Sequence, residues 1–157
     1  MQNSQPKIIE LIKNKKVYHE YMIEDKYDAG IALEGWEVKA IRKHRINLQD
    51  SHVVVRNHEC FLIGAHITPL PTTASYSNPD PTRTRKLLLT RKEINKLIGA
   101  VQRKGFTVVP CKLFLKGNLI KIQIALAKGK KLHDKRQSEK EKTWKKEQQR
   151  HLKNQIK

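Results

Sequence analysis

The chain has 157 residues, enough for one domain with a real core plus an appendage. It carries 33 Lys/Arg against 15 Asp/Glu, a formal net charge of +18, which points to a polyanionic partner because these side chains neutralise phosphates and release condensed counterions. Two cysteines without CxxC spacing, no apolar run near the roughly 18 residues of a membrane span, and a first stretch (MQNSQPKIIELIKNKK) without an apolar signal region weigh against disulfides, a zinc site and a membrane. The expectation is a cytoplasmic protein with reduced thiols.

In chain order, IIELIK (8–13) reads as a turn or two of helix. NKKVYHEY (14–21) sets Asn14, Lys15 and Lys16 beside Tyr18, His19 and Tyr21. That mixture suits unpaired bases, which stack on rings while cations meet phosphates. The alternative is that both tyrosines are ordinary core or strand residues. YMIE and YDAGIALEG are short strand candidates, with Gly30 and Gly35 marking a bulge or bend. GWEVKAIR (35–42) reads as a short helix with Val38 and Ile41 inward. Glu37 defaults to a surface charge there, and Lys39 and Arg42, three apart, form a phosphate-contacting patch. HVVVRNHECFLIGAHI (52–67) is a hairpin turning at Asn57-His58.

The Pro/Ser/Thr-rich loop TPLPTTASYSNPDP (68–81) should present DPTRTRKLLLT (80–90). Arg83 and Arg85, two apart in extended chain, project to one face, and with Lys86 they suit successive phosphate oxygens. Thr90 with Glu93 forms a capping-box pattern ahead of Ile94, Leu97, Ile98 and Val101, a helix that Gly105 can stop. VVPCKLFLK then turns at Gly117-Asn118 into a strand whose Ile120, Ile122, Ile124 and Leu126 alternate with Lys121, Gln123, Ala125 and Ala127. These elements predict a mainly β protein, a small antiparallel barrel of the oligonucleotide-binding type with two or three flanking helices.

Residues 128–157 hold 12 Lys/Arg and 4 Asp/Glu, a net of +8, and their only large apolar residues are Leu132, Trp144, Leu152 and Ile156. The domain boundary is expected between 128 and 129: a barrel of residues 1–128 and a basic tail of residues 129–157. So thin an apolar stripe predicts a tail disordered when free and helical once a partner supplies counter-charge. His133 and Asp134 invite a general-base reading, but neighbours on a helix point about 100° apart, and no phosphate loop or metal-ligand spacing accompanies them. The expectation is an RNA-binding protein, not an enzyme, with no cofactor.

Several blocks together resemble one family: NKK-x-x-HEY at 14–21, YDAGIALEGWEVKAIR at 27–42, NLQDSHV at 47–53, DPTRTRKLLL at 80–89, KGFTVVP at 104–110 and AKGKKLHDKR at 127–136. The sequence is similar to the tmRNA-binding proteins of bacteria, the small protein B or SsrA-binding protein family. The resemblance implies the barrel fold, a role in trans-translation, and three partners: the tRNA-like domain of tmRNA, the stalled 70S ribosome with its 16S and 23S rRNA, and elongation factor Tu with alanyl-tmRNA. Such a protein supports tmRNA alanylation, and the free chain is expected to be a monomer. His19, Leu88 and Lys121 fall on family positions that face tmRNA, and Asp28 falls where many members carry Glu. Lys128 is grouped with the tmRNA-facing set. Gly129, Lys130, Lys131, His133, Asp134, Lys135 and Arg136 match the motif that acts in the decoding centre in place of a codon–anticodon helix. The competing readings are a ribosomal or assembly-type rRNA-binding protein and an RNA-cleaving or RNA-modifying enzyme.

Overall fold

A computed structural model describes residues 5–71, 78–103, 105–130 and 143–149. Its elements run β1 (Ile8–Lys13), α1 (Lys15–Glu20), β2 (Tyr21–Ile31), α2 (Gly35–Arg42), β3 (Ile46–Asn47), β4 (His52–Arg56), β5 (Glu59–Ile63), β6 (His66–Ile67), β7 (Arg85–Leu88), α3 (Arg91–Val101), β8 (Phe106–Lys116) and β9 (Leu119–Gly129). Strands β8, β4, β5, β7, β2 and β9 follow one another in hydrogen-bonded order, and β9 returns to β8. The ring therefore closes, which leaves no unpaired edge around it. β1 adds on to the far half of β8, and β3 pairs with β6 in a separate small ladder.

The alternation in β9 sets the two sides of this wall. Ile122 and Ile124 enter the main core with Val53, Cys60, Leu62, Leu87, Val108 and Leu113. Odd-numbered Lys121, Gln123, Ala125 and Ala127 face outward. Both tight hairpins turn where the left-handed region is populated: φ is +51° and +60° at Asn57 and His58, and +62° at Gly117. α3 begins on the expected box, with Glu93 N–H donating to Thr90 Oγ1 at 3.2 Å and Thr90 N–H donating to Glu93 Oε1 at 3.0 Å.

Two sequence expectations are corrected, and a third stretch, for which the sequence offers no element, is a helix. IIELIK is strand β1, not helix. A register shift between Glu10 and Ile12 breaks its period of two, which is why its apolar residues mimic helical spacing. KKVYHE is helical, burying only Val17, and Tyr21 opens β2. YMIE and YDAG belong to one long strand whose irregularity lies between Ile23 and Lys26; Gly30 lies inside that strand and Gly35 is the first residue of α2.

Candidate nucleic-acid interface

The closure of the barrel aligns outward residues far apart in sequence. One cross-strand row runs Glu10–Phe114–Lys121–Gly30–Leu88 over β1, β8, β9, β2 and β7. The adjacent row runs Lys13–Lys112–Gln123–Asp28. Leu88 is 54% exposed, and its side chain lies over Gly30, where a Cβ would sit 3.1 Å from Leu88 Cβ. The missing side chain lets Leu88 pack down over the backbone of β2. Asp28 is exposed and accepts from Gln123 Nε2 at 3.4 Å. Asp28, Lys121 and Leu88 thus share one patch of wall.

α1 continues this wall. Val17 packs with Val109, Cys111, Ala125 and Ala127 in a satellite core on the outer side, flanked by Tyr18, Tyr21 and Ile23. Lys13 and Lys26 place their ammonium groups 4.8 and 5.6 Å from the Tyr18 ring centroid, so this ring is engaged in cation–π contacts. Burial and the Cys111 thiol push the Tyr18 phenol up to about 12. Lys16 pairs with Asp50 at 3.2 Å, and this hydrogen bond and charge raise its pKa. Lys15 is exposed, whereas His19 and Tyr21 are half-buried on the same helix and its end. Sequence reading missed Lys13, Lys26 and Lys112. The bulges in β1, β2 and β8 hide the alternation that would have grouped them.

Asn14 is a correction. It is 4% exposed, and its amide donates to the carbonyls of Leu48 and Pro110, both at 3.1 Å. Its donors are spent holding the β1–α1 corner against β8, so it does not face RNA.

The arginines of DPTRTR are a second correction. Glu37 is 0% exposed rather than a surface charge. One carboxylate oxygen accepts from Arg85 Nε at 2.6 Å, and the other accepts from Arg83 Nη2. Arg85 is also fully buried and donates to the carbonyls of Ala65 at 2.7 Å and Pro81 at 3.1 Å. Arg85 therefore cannot reach an RNA phosphate. Arg83, with 31% of its side chain exposed, lies between Glu37 and Glu34. Burial alone would push the Glu37 pKa up, but hydrogen bonds from Arg83, the Glu34 N–H and Arg85 outweigh it and hold the carboxyl below its ordinary range. The hydrogen bond to Glu37 and the charges of Glu37, Glu34 and Asp80 raise the Arg83 pKa.

The remaining predicted cations are spread out. Lys86 faces outward and pairs with Glu59 at 3.5 Å. Lys39 and Arg42 are exposed on α2, where Arg42 Nη2 donates to Asn118 O at 3.3 Å beside the β8–β9 turn. At the root of the tail, Lys128 is exposed, Gly129 pairs with Tyr21 inside the sheet, and Lys130 donates its N–H to Glu20 O at 2.8 Å and its ammonium to Tyr18 O at 3.1 Å. The hydrogen-bonded body thus runs two residues beyond the expected boundary. Lys131, His133, Asp134, Lys135 and Arg136 lie outside the described residues. Residues 143–149 are helical with Trp144 62% exposed. That stretch has no Gly, Pro or β-branched run to oppose helix. Among the described residues no cluster of His, Cys, Asp and Glu could hold a metal, and no helix is long and apolar enough to cross a membrane.

The family model described as SmpB protein matches residues 11–154. The SsrA-binding protein of Thiobacillus denitrificans is 56% identical over 137 residues, 87% of this chain and 92% of that one. That of Bordetella parapertussis is 53% identical over 143 residues, 91% of this chain and 92% of that one. A solved structure described as "tmRNA-SmpB: a journey to the center of the bacterial ribosome" matches with a TM-score of 0.65 and 38% identity, covering 79% of this chain and 87% of that chain. A closed antiparallel barrel with this cationic outer wall is an RNA-binding protein of the oligonucleotide-binding architecture. Within that class, the chain belongs to the SmpB family, the SsrA-binding proteins.

Proposed function

We propose that this protein binds tmRNA and serves trans-translation on stalled ribosomes. The observation that carries the reading is the convergence of Asp28, Lys121 and Leu88, from three strands, on one outer patch beside α1. Each offers a different chemistry to RNA. Lys121 meets a phosphate, Leu88 gives an apolar surface to a ribose or base face, and Asp28 accepts from a base edge or a 2′-OH. His19 and Lys15 on α1 extend the contact, and Lys13, Lys26 and Lys112 supply long-range attraction. The RNA element bound is the tRNA-like domain, whose alanylation and delivery with elongation factor Tu the protein supports as a monomer. The tail from Lys131 onward acts in the decoding centre.

Filter binding of tmRNA by Lys121→Ala and Leu88→Ala checks the patch. Lys121→Ala should weaken binding and lower the log–log salt slope by about one unit, as one lost phosphate contact requires. Leu88→Ala should weaken binding with the slope unchanged. Sequencing the RNA that co-purifies with the wild type separates this reading from an assembly-type rRNA binder, which would yield ribosomal RNA without tmRNA.

A further inference from the structure

Three strands, β2, β8 and β9, run on past the last layer of the barrel core, and the two sides of this extension differ. The side carrying Val109, Ala125 and Ala127 is covered by α1. On the other side, beyond Val108 and Leu126, the final row is Phe106–Lys128–Met22. Met22 is 51% exposed, Lys128 is exposed and Phe106 is half-buried. Arg103 lies over the Phe106 ring with Cζ 4.5 Å from its centroid, and Lys128 places Nζ 5.8 Å from the same centroid. Gly105, at φ +88°, makes the turn that carries Phe106 under both cations, and a Cβ there would stand 3.4 Å from Lys128 Cε. The chain leaves this extension for the tail at Lys130.

We infer that this open side is a second RNA-binding site, taking an unpaired nucleotide with its phosphate on Lys128 and Arg103 and its base on the Arg103–Phe106 stack, with Met22 on the far side of Lys128. It rests on the reading of the chain as an RNA-binding protein and adds a surface on the opposite side of β9 from Lys121. The chemistry is that of single-strand recognition. A guanidinium stacked on a ring keeps its edge donors for phosphate and its outer face for a base, and Met22, across Lys128 from the ring, adds an adaptable apolar surface. One acid opposes an anion at Arg103: Glu24 lies 3.9 Å from its Nη2, with both side chains about half exposed. So long and wet a pair holds the guanidinium only weakly, and a phosphate displaces it. The site's place at the tail's root lets one RNA engage both the body and the tail.

The test uses the full-length protein and a fluorescent uridine octamer, with tmRNA and purified ribosomal subunits as further arms. Arg103→Gln with Phe106→Leu should weaken octamer binding about ten-fold and lower its salt slope. Arg103→Gln alone, at an exposed position, should give part of the loss with an unchanged melting temperature, which separates binding from folding. Loss in the ribosome arm assigns the nucleotide to ribosomal RNA, and loss in the tmRNA arm assigns it to tmRNA; either supports the site. Octamer, tmRNA and ribosome binding all unchanged in the double variant would overturn it. A wild type that bound neither tmRNA nor ribosomes would instead overturn the reading on which the site rests.

Discussion

Two basic clusters in this barrel have opposite fates. At the junction of α2 and β7, Arg83 and Arg85 converge on the buried Glu37. Across β9 and β2, Lys121 stands beside the exposed Leu88, with Asp28 one row away. Spacing two apart in extended chain does set both arginines pointing one way. What waits there is a carboxylate on a helix nearly fifty residues earlier, not a phosphate. The difference teaches that a forked cation beside a loop is an RNA ligand only if the fold has no anion of its own to offer it. Glu37 is that anion, fixed at the third position of α2 by its hydrogen bond to the Glu34 N–H at 2.7 Å.

The sharpest way to break the comparison is to remove that anion. Glu37→Ala strands the fully buried Arg85, and breaking a buried pair costs about 3–5 kcal/mol. Urea denaturation should therefore show a large fall in midpoint for Glu37→Ala, and almost none for Lys121→Ala, whose effect belongs to RNA affinity. Equal falls for the two would erase the distinction between a structural and a ligand-facing cluster. A smaller effect follows from pH. The folded-state pKa of Glu37 lies below its unfolded value, so its contribution is complete above the unfolded value and is lost as pH falls through the folded one. The stability gap between the wild type and Glu37→Gln should narrow as the solution is acidified. A gap constant from neutral pH into acid would mean that the carboxylate is not held charged by its arginines.

Much of the barrel was legible because strand alternation and turn chemistry are local signals. The Ile120–Leu126 alternation, the Asn57-His58 and Gly117-Asn118 turns and the Thr90–Glu93 box each depend on neighbours within a few residues. The failures share one cause, which is that long-range pairing overrides local pattern. β1 is a strand because β8 offers it an edge, and the bulge that fits it there disguises its period. Asn14 looks like part of a basic RNA-facing run, yet its amide is committed to carbonyls 34 and 96 residues away. The Asp28, Lys121 and Leu88 group was reachable from the family resemblance alone, since no spacing in the sequence brings three strands together. The exposed face at Phe106 was invisible for the same reason.

The smallest expected effect is also the most local probe of the ligand-facing wall. In Gly30→Ala the added methyl would stand 3.1 Å from Leu88 Cβ and 3.4 Å from its Cδ1, in the space over which Leu88 packs. Replacing glycine in a strand stiffens the unfolded chain, a gain of about 0.4–1 kcal/mol, and the crowding against Leu88 offsets it. The two nearly cancel, so the melting temperature should move by only a few degrees. tmRNA affinity should nonetheless fall, because the methyl pushes Leu88 outward from the position in which it meets RNA. An unchanged affinity with an unchanged melting temperature would show that the placement of Leu88 does not matter to RNA, and the wall's recognition would then rest on Lys121 and its neighbouring cations.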